Sequence, residues 1–503
     1  MFQFKTLAAV PALVFLMGGT AHAALTVDQV WQSWKDGAAL AGLTVTAATE
    51  SNAGGVLTLN GVTIAPQGAA SGFTISDMTL TEQSDGTVAI APGASMGLDA
   101  TEGSNVMKVA VAHDGLVITA SENAGALVYD FQAAGVDINY DIATEGYSFD
   151  DSAPAPVIKN TGKIGFEALE GSYTDTAGDN RVFGLDLKAA KLLLDTLTDD
   201  PGMGMKTSSV SETADFVAGF DVTLPSTTPM AELQGSAGFR KALEEGFAIA
   251  VTFGQGESSG TNKQESDFFP YEMTMSTAGG DGSLSFDKDD FTLVSQSGAV
   301  QLNVTSAAFP APMEMTLAEA VMDLKVPVIA TEPQDVIVKM KLGQLALSEG
   351  VWGMFDPGAV LNREAADVNI DVSGRTTLDI LALAEAEDTG VPAPEPAPEK
   401  LDITDITLKV AGAALNATGA FTFDNSMGMP MPVGTAKVNV DGANALIDGL
   451  IKTGLVQEQD AMGVRMMMGM FMVPSGNGDD SLTSDIEVKE GMQVFVNGQP
   501  LPM

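Results

Sequence analysis

Val56-Leu57-Thr58-Leu59-Asn60-Gly61-Val62-Thr63-Ile64 is the stretch whose reading decides the fold class. Apolar residues alternate with threonine on both sides of Asn60-Gly61, so the period is two and the run reads as strand rather than helix. Asn-Gly is the strongest short hairpin signal, because both positions tolerate positive φ. The expectation is a two-residue turn with Leu59 facing Val62 and Leu57 facing Ile64.

The pattern recurs outward from there. A second hairpin is predicted over residues 78–91 around Ser84-Asp85-Gly86, with Leu80 opposite Ile90. A third is predicted over residues 109–120 around Asp114-Gly115, pairing Val111 with Ile118. Alternating runs follow at 127–140, 209–224, 247–253, 291–304, 336–347 and 403–423. Meanders with one buried face explain such runs, and βαβ crossovers do not. The opening element is instead a helix: Thr26 is a good N-cap, and Val27, Val30, Trp31, Trp34 and Leu40 share a face that suits docking on the sheet. Further helices are expected at 185–197, 230–245, 443–453 and 460–472, with fainter patterns at 317–324 and 376–386. The predicted class is therefore α+β, mainly antiparallel β: elongated or curved β-meander sheets with several packing helices.

Residues 1–23 have the three parts of a cleavable secretory signal, namely Lys5, an apolar run from Leu7 to Met17, and Ala21-His22-Ala23. No later stretch has the length of a membrane helix, and no cysteine follows the cleavage site to carry lipid, so the mature chain is expected free in the periplasm. A large β-rich body is expected over 24–384. A Pro-rich acidic linker or loop, 385–400, with Pro392, Pro394, Pro396 and Pro398, precedes a C-terminal β/helix piece, 401–503, packed on the same sheet system and ending in a strand pair around Asn497-Gly498.

Composition works by exclusion. The 503 residues hold 66 Asp and Glu against 24 Lys and Arg, a net charge of −42, which argues against nucleic acid and against adsorption to an anionic membrane. With no cysteine there is no thiolate site or nucleophile, and of two histidines His22 leaves with the signal. His113 alone remains, so a multi-histidine metal site is impossible and most acid–base designs for neutral pH are removed. It reads as a packing or turn residue beside Asp114-Gly115.

The remaining motifs are thin. Gly93-Ala94-Ser95-Met96-Gly97 matches the nucleophile elbow, which needs a helix after the serine and a later histidine. Paired acids occur at Asp150-Asp151, Asp199-Asp200, Asp289-Asp290 and Asp479-Asp480, but an aromatic content of 6% offers few sugar platforms. Met427, Met429 and Met431 alternate as thioether clusters for copper do, without a histidine near them. Gly279-Gly280-Asp281-Gly282 begins like a calcium nonapeptide and then departs from it. Met462, Met466 and Met470 share a helical face, read as core packing or as an adaptable apolar surface.

The chain resembles an uncharacterised family of exported alphaproteobacterial proteins known as a domain of unknown function. The carriers are Val30-Trp31-Gln32-Ser33-Trp34, the stretch from Leu347 through Trp352 to Asp356-Pro357, and the closing Leu482-Thr483-Ser484-Asp485-Ile486-Glu487-Val488 with Val496-Asn497-Gly498-Gln499. Residues 438–455 with that closing pair look like the ends of AsmA-like envelope proteins. That likeness implies an elongated β-rich groove linked to lipid transport, and this chain lacks the usual anchor of those proteins.

The leading expectation is a non-enzymatic periplasmic protein binding lipid or another apolar ligand in a β-lined groove and contributing to envelope maintenance. No catalytic, cofactor or metal residues are assigned. The alternatives are a hydrolase using Ser95 or an acidic pair, and a copper- or calcium-binding protein. If the signal is read correctly, N-terminal sequencing of the protein recovered from its native envelope will begin at Ala24; a chain still carrying Lys5 would refute it.

Overall fold

A computed structural model describes residues 24–40, 42–69, 71–146, 155–176, 178–225, 235–426, 428–476 and 478–501. Residues 1–23, read above as a signal, Asp150-Asp151 and Met427 lie outside the described residues. The chain is mostly antiparallel β and divides between Thr274 and Met275 into two compact units.

Unit 1 opens with α1 (Val27–Leu40), followed by β1 (Leu43–Ala53), β2 (Val56–Pro66), β3 (Phe73–Glu82), β4 (Val88–Pro92), β5 (Met96–Glu102), β6 (Asn105–Asp114) and β7 (Val117–Asn123). Four long strands come next: β8 (Ala126–Glu145), β9 (Val157–Thr176), β10 (Asn180–Asp200) and β11 (Met205–Pro225). Helix α2 (Ser236–Glu244), β12 (Ala248–Gln255) and β13 (Ser258–Ser266) complete the unit. Three pairs of short strands lie end to end. β4 and β5 both pair with β3, β6 and β7 both pair with β8, and β12 and β13 both pair with β11. Each pair acts as one long interrupted strand, and the sheet runs β1, β2, β3, β4/β5, β6/β7, β8, β9, β10, β11, β12/β13.

The interruptions line up. In β2 the buried alternation runs through Leu57 and Leu59 before Gly61, then through Val62 and Ile64 after it. The alternation slips by one residue there. In β3 it slips between Ile75 and Met78. The registers Asn60↔Asp77 and Val62↔Ile75 show the two slips side by side. A slip flips every later side chain to the other face, so a matched slip in the neighbour keeps one face apolar along both strands. Left-handed residues mark the line in four strands of unit 1: Gly61 (φ 61°), Gly115 (φ 65°) between β6 and β7, Ala168 (φ 50°) in β9 and Asp215 (φ 48°) in β11. Bulges of this kind bend a strand and raise its twist.

Several sequence expectations are corrected by this line. Asn60-Gly61 is a bulge inside β2, not a hairpin; the turn sits at Gly54-Gly55, and β1 pairs with β2 as Ala53↔Val56. Asp114-Gly115 is likewise a step within one interrupted strand. Val111 pairs with Met96 and Ile138, whereas Ile118 pairs with Ile90 and Phe131. The predicted hairpin at Ser84-Asp85-Gly86 forms with Leu80↔Ile90 as expected. Residues 185–197 are strand β10, not helix, paired along both edges with β9 and β11. The helix expected at 230–245 is described from Ser236.

Helix α1 forms as read and packs on the sheet. Thr26 and Gln29 cap it reciprocally: the Thr26 N–H donates to Gln29 Oε1 (2.8 Å) and the Gln29 N–H donates to Thr26 Oγ1 (3.3 Å). Val27, Val30, Trp31 and Trp34 are buried against the core face. Leu59, Leu80, Val88 and Ile90 are almost completely enclosed, and each such side chain contributes about 1.5–3 kcal/mol of burial.

Unit 2 is an antiparallel meander. Its later strands, Gln334–Leu347, Ala366–Thr377, Ala397–Val410, Ala413–Asp424, Met431–Asp441 and Ser481–Lys489, pair in succession. Its helices are α3 (Glu349–Phe355), α4 (Ile380–Thr389), α5 (Ala443–Lys452) and α6 (Glu458–Phe471). Residues 317–324 are strand rather than helix: Met313–Leu317 and Glu319–Pro327 pair with Gln334–Leu347, and these ladders outweigh the local propensity. Residues 385–400 lie within this unit, shared between the end of α4, a short connection and the strand from Ala397. Asn497-Gly498 closes a true two-residue hairpin, both residues at positive φ, with Val496↔Gln499. The face of α6 carrying Met462, Met466 and Met470 is more than 60% exposed, which corrects the core-packing reading of these methionines.

The bend predicts two opposite stability changes. A Cβ on Gly115 meets nothing within 4 Å, so Gly115→Ala exposes only the left-handed strain, about 1 kcal/mol of destabilisation. Ala168→Gly releases the same strain and should gain up to about 1 kcal/mol. Urea denaturation midpoints will show the two signs, and equal signs would refute the account.

Candidate functional site

The apolar face of unit 1 is only partly covered by α1. Beyond the helix, the two sides of the slip line enclose a cavity of about 420 Å³. One side contributes Met96, Val111, Val136, Ile138 and Phe166; the other contributes Ile118, Phe131, Tyr173, Leu185, Leu187 and Phe220. Leu116, Leu169 and His113 sit on the line itself. The slip puts both sets on the same face: Val111 and His113 precede it, and Leu116 and Ile118 follow it. A smaller cavity of about 120 Å³ lies under α1, with Trp34, Val45 and Ile75 in its wall. The two cavities share Leu116, Ile118, Phe131 and Tyr173, so they adjoin.

Aromatic rings line the shared region. Tyr129 and Tyr173 lie 6.1 Å apart, and Tyr173 stacks on Phe183 at 6.4 Å. The row ends in a charged pair. The Arg181 guanidinium stands 5.1 Å from the Phe183 ring and donates twice to Asp175, Nε to Oδ1 at 2.8 Å and Nη2 to Oδ2 at 2.6 Å. Asp175 is 1% exposed. Burial pushes its carboxyl up to about 7, against the opposing pull of Arg181.

His113 is the one imidazole in the cavity wall, and sequence reasoning placed it only as a strand-end packing residue. Its Nδ1 accepts a long hydrogen bond from the Leu116 N–H (3.4 Å). Its Nε2 is buried and has no partner among the described residues. Turn chemistry beside an isolated histidine was the available signal, but the cavity depends on strand pairings that no local pattern displays.

The other sequence candidates are structural or scattered. Ser95 lies in the step between β4 and β5, its carbonyl accepting from the Ser76 N–H at 2.9 Å, and a strand follows it where an elbow needs a helix. Asp200 Oδ1 accepts from the Gly202 and Met203 N–H groups in a turn. Asp289 and Asp290 pair with Lys288 and Lys325. Asp480 accepts from the Asn444 and Ala445 N–H groups at the start of α5. Asp281 accepts from Gln296 within a strand pair. Met429 is exposed, and among the described residues no three His, Cys, Asp or Glu side chains cluster as a metal site would need. No helix among them is long and apolar enough to cross a membrane.

Asp175 gives a testable pH dependence. Its folded value lies above the ordinary carboxylate value, so between about pH 4 and pH 7 the folded state holds a proton that the unfolded state has lost. Its contribution is favourable to folding at the acid end and fades as pH rises through 7. Melting temperatures of the native chain should therefore fall more steeply from pH 4.5 to pH 7.5 than those of Asp175→Asn. Parallel profiles would refute the assignment.

Comparison with known proteins bears on unit 2. A family model described as an uncharacterized protein conserved in bacteria (DUF2125) matches residues 269–502, just under half of the chain. The early Trp31–Trp34 helix, one carrier of the resemblance, lies outside the matched residues. Within it lies the Trp352 to Asp356 segment, which forms a packed knot. Asp356 is fully buried and accepts from the N–H groups of Val360 (3.0 Å) and Leu361 (2.9 Å), and Arg363 Nη2 donates to its carbonyl at 2.7 Å. Arg363 also pairs with Glu349 and lies 5.6 Å from the Trp352 ring. No curated protein and no solved structure matches the chain. By family, the chain is similar to these bacterial proteins over unit 2, and the cavity lies outside the matched residues.

Proposed function

We propose that this is a non-enzymatic exported protein that holds a lipid or another apolar ligand in the cavity of unit 1, in the service of the cell envelope. The observation that carries the reading is the cavity itself. Its 420 Å³ falls in the range of ligand sites, roughly 300–1,000 Å³. It is nearly three times the size of an apolar cavity of about 150 Å³ that stays dry and takes up benzene. Apart from His113 and Gly184, its lining is aliphatic, aromatic or methionine. Water gains few hydrogen bonds from such a wall, whereas a hydrocarbon chain gains contact on every side. Phe220, at 36% exposure, marks a side from which a ligand has access. Export and a role in the envelope rest on the signal-like N-terminus and on the family likeness.

Native mass spectrometry of the chain purified from its own envelope, followed by organic extraction, tests the reading. A co-purifying lipid, lost when Val136→Trp fills the cavity, is the expected result. A clean apo mass, with no uptake from liposomes, would sink it.

A further inference from the structure

We propose that unit 2 holds a second binding site, a groove on one face of its sheet that takes a hydrocarbon chain without reading the head group attached to it. The site shares no residue with the cavity of unit 1 and stands or falls separately. It is built from four neighbouring strands, Gln334–Leu347, Ala366–Thr377, Ala397–Val410 and Ala413–Asp424. Val338 pairs with Val372, and Val336, Gly374, Leu401 and Phe421 form the next cross-strand row. Directly paired residues share a face, as do residues two apart, so Phe423 joins them. Gly374 adds no side chain to its row, and the groove there, of about 320 Å³, is lined by Val336, Val338, Val372, Leu401 and Phe423. Pro396 and Pro398 line it too, so the Pro-rich stretch supplies part of the wall. The floor side chains are half-buried, and Val338 is 40% exposed.

Chemistry selects the occupant. The two central strands pair along both edges, so their backbone N–H and C=O groups are committed to ladders. An extended peptide laid on this face would bury its own amides without partners, whereas a hydrocarbon chain has none to satisfy. Arg375 and Lys400 border the groove but stand one residue out of phase with Gly374 and Leu401, on the opposite side of the sheet. There Arg375 Nε lies 3.4 Å from Asp335, and Lys400 Nζ lies 2.6 Å from Asp402. Thr376 brings a hydroxyl to the groove face, and it donates to the Thr377 carbonyl at 3.3 Å. The lining therefore keeps no cation to hold a carboxylate or phosphate and no free donor for an ester. The head group stays in water, and the chain alone is bound. A volume of 320 Å³ lies at the low end of ligand sites, roughly 300–1,000 Å³, which suits one chain rather than several.

The test photolabels the full mature chain with a long alkane carrying a diazirine at mid-chain and maps the labelled peptides by mass spectrometry. Label is expected on the strands of Val338 and Leu401 as well as in unit 1. Val338→Asp sets a charge on the groove floor and should lower labelling there about tenfold while labelling of unit 1 is unchanged. Val338→Trp, which fills the groove without a charge, should do the same. Because Val338 is already partly exposed, both variants should keep the circular dichroism and melting temperature of the native chain. An ionised fatty acid, its methyl ester and the alkane of equal length should compete for the groove alike, to within about twofold, since no head group is read. Label confined to unit 1 would overturn the inference and leave the cavity reading in place; label confined to the groove would do the reverse. A strong preference for one head group at the groove would overturn the inference. So would a groove closed to the probe in a native dimer that Val338→Asp dissociates, which would make it an interface between copies.

Discussion

Everything in unit 1 depends on one constraint: strands of 20 or 21 residues must keep a single face apolar while the sheet bends. A straight pleat alternates without fault and offers no reason to bend. A bulge supplies the bend but flips the side chains beyond it. The structure meets both demands by placing the flip at one level across neighbouring strands, so the ladder continues in register on either side. β8 and β9 show it clearly, pairing Ala133↔Leu169 and Gly135↔Glu167 across the step without losing register. An unmatched slip would turn residues such as Glu167 or Lys188 toward the cavity, at the cost of burying unpaired charge.

The same constraint explains what could be read from the sequence. Strand character, the early helix with its cap, the hairpin at Asp85-Gly86 and the closing Asn497-Gly498 turn are local, and each was legible. The slips were not, because a bulge and a hairpin draw on the same residues. Asn60-Gly61 and Asn497-Gly498 are the same dipeptide following an apolar residue, yet only the second has both residues at positive φ in a two-residue turn. Residues 185–197 misled for a related reason. A one-residue slip in a period of two creates an interval of three, as from Ala189 to Leu192, and intervals of three and four are the helical signature. The pairing with β9 and β11 that decides the matter is non-local.

Polarity is kept at the margins of the cavity. Asp175 and Arg181 are buried beside the aromatic row, but as a bidentate pair they carry no net charge. Their cost is moderated by the cation–π contact of Arg181 with Phe183. The many acids of the chain stand mostly in turns, on outward faces and at helix starts, where water or a backbone N–H answers them. The acidic side chains thus stay apart from the apolar lining of the cavity, which holds no Asp, Glu, Lys or Arg.

The family-matched residues and the cavity make different demands on sequence. The knot of Trp352, Asp356 and Arg363 is a stability device. A buried carboxylate closes a turn through two backbone N–H groups, and removing it would strand those donors. Substitutions there are punished through folding, whatever the protein binds. The cavity wall is held only to volume and apolarity, which many combinations of Leu, Ile, Val, Phe and Met satisfy. A recognisable segment in unit 2 beside an unmatched unit 1 is what those unequal demands produce. The size of such a cavity is therefore set by the slips within the strands that wall it, and not by the family-matched residues.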